Sequence, residues 1–210
     1  PHKNPCLLTL CTVLHNLPLN YVTLFINEGI MLYRNDLVGK RVLITGASRG
    51  LGLAIATGLA HLGCQLMLVG RKAEGLKQAV DIIRSQVPTA LCHVHACNIG
   101  DWAALDTLVM ETCREMGGMD VLINNAGIGL GAPTLLDTSE AMYLKVLQTN
   151  LLGPSRLMAL AAEFMKKNPG GSIINISSMA SQHPRPYLGA YAASKAGLNA
   201  MTKASALEYA

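Results

Sequence analysis

No basic cluster longer than a neighbouring pair occurs in this chain, and aromatic side chains are scarce: two Phe, one Trp and six Tyr among 210 residues. Nucleic-acid binding draws on runs of Lys and Arg and on rings that stack on bases. A net charge of +4 dispersed along the sequence therefore argues against such a partner. Close cysteine pairs are also missing. Cys6, Cys11, Cys64, Cys92, Cys97 and Cys113 are scattered, and in a chain this large that argues for reduced thiols and a cytoplasmic location. Cys92, His93, His95 and Cys97 are ligand-type residues, but they alternate within a strand-like stretch and face opposite ways, which argues against a metal site. No apolar run reaches the roughly 20 residues of a membrane span. Cys6 to Leu14 is apolar behind Lys3, but Asn16, Pro18 and Asn20 interrupt it. Residues 1–30 are accordingly expected to be leader, upstream or alternative-exon sequence outside the fold, with a weak membrane or organelle anchor as the alternative. The domain is expected over residues 31–210.

What is present is half hydrophobic and only 14% charged, enough for one sizeable core. From Lys40 onward, apolar runs alternate with helical patterns. Strands are expected at Arg41–Thr45, Gln65–Val69, Leu91–Ala96, Asp120–Asn124 and Ser172–Ile176. Helices are expected between them, including one long helix from about Ser139 to Lys167, with a last helix from Leu188 onward. Strand and helix in alternation make an α/β, doubly wound parallel sheet of Rossmann type. Its right-handed crossovers bring the carboxyl ends of the strands to one edge, where ligands bind.

Thr45-Gly46-Ala47-Ser48-Arg49-Gly50-Leu51-Gly52 lies where the first of these strands passes into the first helix. Glycines there permit a tight turn and close backbone approach to a pyrophosphate, and the helix N-terminus offers unpaired N–H groups. The second strand ends in Gly70-Arg71-Lys72, without the Asp or Glu that would accept hydrogen bonds from the ribose hydroxyls of NAD. Arg71 and Arg49 are instead suited to clamp a 2′-phosphate, so NADP(H) is expected over NAD(H). Near the chain's end, Tyr191 and Lys195 stand four residues apart on a helix, share one face and can act as a single acid/base unit.

Together these landmarks resemble the short-chain dehydrogenase/reductases. The glycine turn is similar to that family's cofactor turn, Asn124-Asn125-Ala126-Gly127 to its motif after the fourth strand, and Tyr191-x-x-x-Lys195 to its catalytic pair. Ser178, thirteen residues before Tyr191, has the spacing of the catalytic serine, and Asn150 matches the fourth catalytic position. The resemblance implies hydride exchange between a nicotinamide and a ketone or secondary alcohol, with Tyr191 moving the proton, Lys195 favouring the phenolate and holding the nicotinamide ribose, and Ser178 binding the substrate oxygen. Asn150 would hold a water that relays protons to Lys195. Cofactor contacts are implied for Gly46, Ser48, Arg49, Gly50, Leu51 and Gly52, for Arg71, for Asn98 and Ile99, for Asn125, Ala126 and Gly127, and for Tyr191 and Lys195. Asn98 departs from the Asp that many members carry beside the adenine.

The family pattern continues beyond the helix bearing Tyr191 with further strands and a substrate-covering loop. The chain is therefore expected to be truncated, with its fifth predicted strand left as an open edge and little activity of its own. An inactive isoform or dinucleotide-binding module is the alternative function. Gln182, His183, Arg185 and Pro186 hint at a sugar-acid or polyol substrate, and 3-oxoacyl substrates fit nearly as well. By analogy, the helix ending near Lys167 and the helix bearing Tyr191 form a homodimer or homotetramer interface.

Overall fold

A computed structural model describes residues 6–9, 37–132, 134–167 and 170–209. In chain order the elements are β1 (Cys6–Thr9), β2 (Arg41–Thr45), α1 (Gly50–His61), β3 (Gln65–Gly70), α2 (Ala73–Gln86), β4 (Leu91–Ala96), α3 (Ala104–Met116), β5 (Val121–Asn124), α4 (Glu140–Leu147), α5 (Gly153–Lys166), β6 (Ser172–Asn175) and α6 (Gly189–Glu208). The strands form one parallel sheet in the order β1-β6-β5-β2-β3-β4. The chain winds from β2 outward through β3 and β4, then returns to β5 on the other side of β2. The switch point of this doubly wound sheet lies between the carboxyl ends of β2 and β5.

Central strands of a parallel sheet are covered on both faces, and the side-chain alternation here divides between two cores. Leu43, Met67, Leu122 and Ile173 lie side by side across the register and pack with Leu105 and Leu108 of α3, Leu157 and Ala161 of α5 and Leu198 of α6. Their neighbours Ile44, Leu68 and Ile123 face the other way, against Ala56 and Ala60 of α1 and Leu76 and Ile83 of α2. Burial of each such Leu or Ile stabilises the fold by roughly 1.5–3 kcal/mol relative to leaving it exposed.

Two features differ from expectation. The edge expected to be open is covered, because Cys6–Thr9 runs parallel to β6 with Leu7 opposite Ile173. A short apolar stretch satisfies the N–H and C=O groups that β6 would otherwise present unpaired. The rest of the expected leader, residues 1–5 and 10–30 with Cys11, lies outside the described residues, as do Met31 and Pro133. The single helix expected from Ser139 to Lys167 is instead interrupted by a π-helical turn at Gln148–Leu152. Pro154 has no N–H to return to the Asn150 carbonyl, so the α-helical ladder cannot run through this point. The Gly153 N–H bonds back to the Gln148 carbonyl, five residues earlier.

His93 and His95 share one face of β4 and pair with Glu115 (3.6 Å) and Glu111 (3.1 Å) on α3. No group of three potential metal ligands occurs among the described residues. Burial pushes the Cys64 and Cys113 thiols up to about 11. No helix among the described residues is long and apolar enough to cross a membrane.

At the amino ends of β2 and β5, Arg41 donates from Nε and Nη2 to the two Asp120 carboxylate oxygens, both at 2.8 Å, and its backbone N–H donates to Oδ2 at 2.8 Å. The guanidinium holds the Asp120 carboxyl below its ordinary 3.8. A depressed carboxyl pKa gives stability that is complete above the unfolded value and lost as pH falls through the folded one. Asp120→Asn is therefore expected to lower stability near pH 7 by about 1.5–3 kcal/mol. It should also flatten the loss of melting temperature below about pH 4, measured by thermal unfolding across pH 2 to 7.

Candidate active site

Thr45, buried at the end of β2, organises the switch point. Its hydroxyl accepts the N–H groups of Asn125 and Ala126, both at 3.0 Å, so the first residues beyond β5 are tied to the end of β2. The Asn125 side chain completes the tie, with Nδ2 donating to the Thr45 carbonyl (2.9 Å) and the Gly46 carbonyl (3.2 Å). Such proximity leaves no room for side chains. A Cβ on Gly46 would stand 2.8 Å from Ala126 Cα, and one on Gly52 would overlap the Gly46 carbonyl and stand 2.5 Å from Asn125 Nδ2. Gly46 also takes φ +68°, in the left-handed region that favours glycine.

Above this tie lies a cleft of about 400 Å³ at the carboxyl ends of β2 to β5. Gly46, Ser48, Arg49, Gly50, Leu51 and Gly52 line it from the turn into α1, and Gly70 and Arg71 from the end of β3. Asn98 and Ile99 line it beyond β4, and Asn125, Ala126 and Gly127 beyond β5. The first turn of α1 has neither a side-chain cap nor an acidic residue. Its orphan N–H groups and positive dipole end leave an anion-binding terminus at the turn. Arg49, Arg71 and Lys145 line the cleft, and among the described residues no Asp or Glu does.

Gly127 joins this cleft to a second set of groups. A Cβ on Gly127 would stand 3.5 Å from both Asn150 Oδ1 and Lys195 Nζ. Asn150 is fully buried in the π turn. Its Oδ1 accepts from the Ile128 N–H (2.8 Å), and its Nδ2 donates to the Ile128 carbonyl (2.8 Å) and to Ser194 Oγ (3.0 Å). Ser194 Oγ donates to the Tyr191 carbonyl (2.7 Å), and Nζ of Lys195, a residue 3% exposed, donates to the Ile176 carbonyl (2.7 Å). Tyr191 is half-buried, with its ring beside Gly129. Ser178 caps a short 3₁₀ turn, Met179–Ser181, through the Ala180 N–H (3.2 Å). Behind these residues, Asn124 Nδ2 donates to Asn175 Oδ1 and Asn175 Nδ2 to Thr202 Oγ1, each at 2.9 Å, tying β5, β6 and α6 through a buried polar chain.

The loop after β5 and the loop before α6 also meet. The Ala132 N–H donates to the Tyr187 carbonyl (3.3 Å), and a Cβ on Gly131 would stand 2.9 Å from that oxygen. Tyr187 has φ +72° and is the sole non-glycine residue with positive φ among those described. Such a backbone costs about 1–3 kcal/mol.

A family profile described as short chain dehydrogenase matches residues 40–210. The chain belongs to the short-chain dehydrogenase family. It is 36% identical over 174 residues to gluconate 5-dehydrogenase of Gluconobacter oxydans, covering 83% of this chain and 67% of that one. A metagenomic short-chain oxidoreductase solved in complex with NADP superposes with a TM-score of 0.77 at 35% identity, covering 82% and 76% of the two chains. An NAD+-bound xylitol dehydrogenase gives a TM-score of 0.78 at 30% identity, covering 82% and 66%. The chain spans about half, 51%, of the length of mycobacterial oxidoreductases to which it is 36% identical.

In this short-chain dehydrogenase fold, the sequence-chosen residues of the glycine turn, Arg71, Asn98–Ile99 and Asn125–Gly127 share one cleft, while Tyr191, Lys195, Ser178 and Asn150 lie outside its lining. Sequence reasoning missed Lys145 and Ser194. Lys145 lines the cleft with Gln148 and Thr149, three and four residues on, and that helical spacing ending at Asn150 was the available signal. Ser194 stood inside the Tyr191–Lys195 segment without attracting a role. Gly52→Ala is expected to lose about 1–3 kcal/mol through the overlap with Gly46 and Asn125. Gly58→Ala, on the same helix with nothing within 4 Å of its added Cβ, is expected to gain about 0.5–1 kcal/mol. Urea unfolding of both variants distinguishes a crowded turn from a general glycine effect.

Proposed function

We propose that the protein exchanges hydride between NADP(H) and a ketone or secondary alcohol, with Asn150, Ser178, Tyr191 and Lys195 as its catalytic residues. The junction at Gly127 carries this reading, because one glycine both lines the cleft and lies against Lys195 and Asn150. The residues present fit a phosphorylated dinucleotide. The glycine turn admits a pyrophosphate to an uncapped helix N-terminus, and Arg49, Arg71 and Lys145 face a cleft without carboxylates. Arg71 at the end of β3 is suited to a 2′-phosphate that an acidic residue there would repel.

When bound, the nicotinamide would supply or accept the hydride. Tyr191 would donate its phenolic proton to the nascent alkoxide in reduction and take it back in oxidation, while Ser178 hydrogen-bonds the same oxygen and stabilises its charge. Lys195 is held by the Ile176 carbonyl one helical turn from Tyr191, from where it would hold the nicotinamide ribose. Both side-chain groups of Asn150 are engaged by Ile128 and Ser194. A proton relay through Asn150 therefore uses its backbone carbonyl, which Pro154 deprives of the usual donor four residues on. A polyol or sugar acid is the substrate class favoured by the likeness to gluconate 5-dehydrogenase and xylitol dehydrogenase. A homodimer or homotetramer is the assembly we propose.

Tyr191→Phe is expected to lower turnover by about 10²- to 10⁴-fold while NADPH binding, followed by nucleotide fluorescence, persists. Retention of full turnover would remove the mechanism. Arg71→Ala is expected to weaken NADP+ binding by about ten-fold or more and NAD+ binding far less. If calorimetry of the unsubstituted protein gave NAD+ the tighter binding, the cofactor assignment would fail.

A further inference from the structure

Past the end of β6 the chain is latched to α6 residue by residue. The Ile176 carbonyl accepts from Lys195 Nζ (2.7 Å), and the Ser177 hydroxyl makes a longer contact to the Lys195 carbonyl (3.5 Å). Ser178 is tied through an intermediate. Its carbonyl accepts from the Ser181 hydroxyl (2.6 Å) and from the Ser181 N–H (3.0 Å), and Ser181 Oγ in turn accepts from Asn199 Nδ2 (2.9 Å). Tyr191, Lys195 and Asn199 stand at intervals of four along α6 and so share one of its faces.

Proton counting sets the direction of this tie. The Ser181 hydroxyl has one proton, which goes to the Ser178 carbonyl, so toward Asn199 its oxygen is left to accept. The Asn199 amide supplies the donor, which an alkyl side chain at that position could not. The tie continues into the side chain of Ser178. Ser178 Oγ accepts the Ala180 N–H (3.2 Å) as the cap of the Met179–Ser181 turn, so the turn that Asn199 anchors to α6 also restrains the Ser178 hydroxyl.

We infer that Asn199 is a positioning residue: through Ser181 it sets where Ser178 stands relative to Tyr191, so that the two hydroxyls converge on one substrate oxygen. This rests on the reductase reading above, which gives Ser178 that role. Because Asn199 shares a helix face with Tyr191 and Lys195, the same rigid element that presents the proton-transfer pair also holds the turn that presents the serine. Displacing a reacting group by a fraction of its hydrogen-bond length costs rate and leaves binding of the distant nucleotide alone.

The test compares Asn199→Leu, Ser181→Ala and Ser181→Thr with the unsubstituted protein, using gluconate and xylitol with NADP+. Amide hydrogen exchange at Ala180, read by NMR, reports the Ser178 cap and needs no turnover. In Asn199→Leu and in Ser181→Ala, exchange at Ala180 should quicken about ten-fold, while exchange at Ile173 in β6 stays unchanged. Turnover should fall about ten-fold with the KM for NADP+ unaltered. Ser181→Thr, which keeps the hydroxyl, should preserve both readings. Placed in a Ser178→Ala background, Asn199→Leu should change the residual turnover by less than about two-fold, since its effect runs through Ser178. A full ten-fold loss in that background overturns the proposal and assigns Asn199 to the packing of α6. Unchanged exchange at Ala180 in Asn199→Leu and Ser181→Ala overturns it as well. Absence of turnover with both substrates counts against the reductase reading alone, and exchange at Ala180 then decides by itself whether Asn199 positions Ser178.

Discussion

The approach of the turn after β2 to the loop after β5 is the constraint on which the remaining architecture of the site depends. Thr45 and Asn125 hold the two backbones together through side-chain hydrogen bonds, and Gly46 and Gly52 make the distance possible by having no Cβ to interpose. With that contact made, the orphan N–H groups at the start of α1 face a cleft instead of packing against a neighbour. The sheet supplies the rigid base. β2 is paired on both sides, and its two rows of side chains are committed to different cores, so the switch point cannot shift without disturbing both.

A second constraint sets the far end of the site. Pro154 breaks the helical ladder, and the resulting π turn buries Asn150 where it bonds the Ile128 backbone and Ser194 at once. Ser194 then bonds the Tyr191 carbonyl, so the helix carrying Tyr191 and Lys195 is registered against the loop that lines the cleft. Gly153 takes part as well, since a Cβ there would overlap the Ile99 carbonyl of the cleft's outer wall. The buried chain from Asn124 through Asn175 to Thr202 fixes α6 to the sheet from behind. Polar groups in this position specify one arrangement, because any other leaves them buried and unpaired.

Much of this was legible in the sequence where the relevant geometry is local. The strand positions followed from continuous apolar runs, since strands covered on both faces need no polar alternation. The glycine turn and the Tyr191–Lys195 pair were legible because residue types at a strand-to-helix junction and a spacing of one helical turn are local signals, although the backbone the glycines admit, at Asn125 and Ala126, lies far along the chain. The break at Gln148–Leu152 was hidden inside a pattern that reads as continuous helix, although Pro154 carried the cause. Cys6–Thr9 was not legible as a strand of this sheet, because its partner β6 begins at Ser172, far along the chain.

By itself, the sequence determined the α/β class, the order of its strands and helices and the residue types at the sheet's carboxyl edge, because periodicity and turn chemistry act over short separations. Tertiary structure decided which of those residues share a cleft. Lys145 of α4 joins Arg49 and Arg71 only in the fold, where the three line one cleft. Gly127 becomes a junction only because the π turn brings Asn150 beneath it and α6 brings Lys195 alongside. Tyr187 acquires its strained backbone only because another loop offers its carbonyl a donor. Each is a contact between segments distant in sequence, fixed by packing and hydrogen-bond closure that no local pattern encodes.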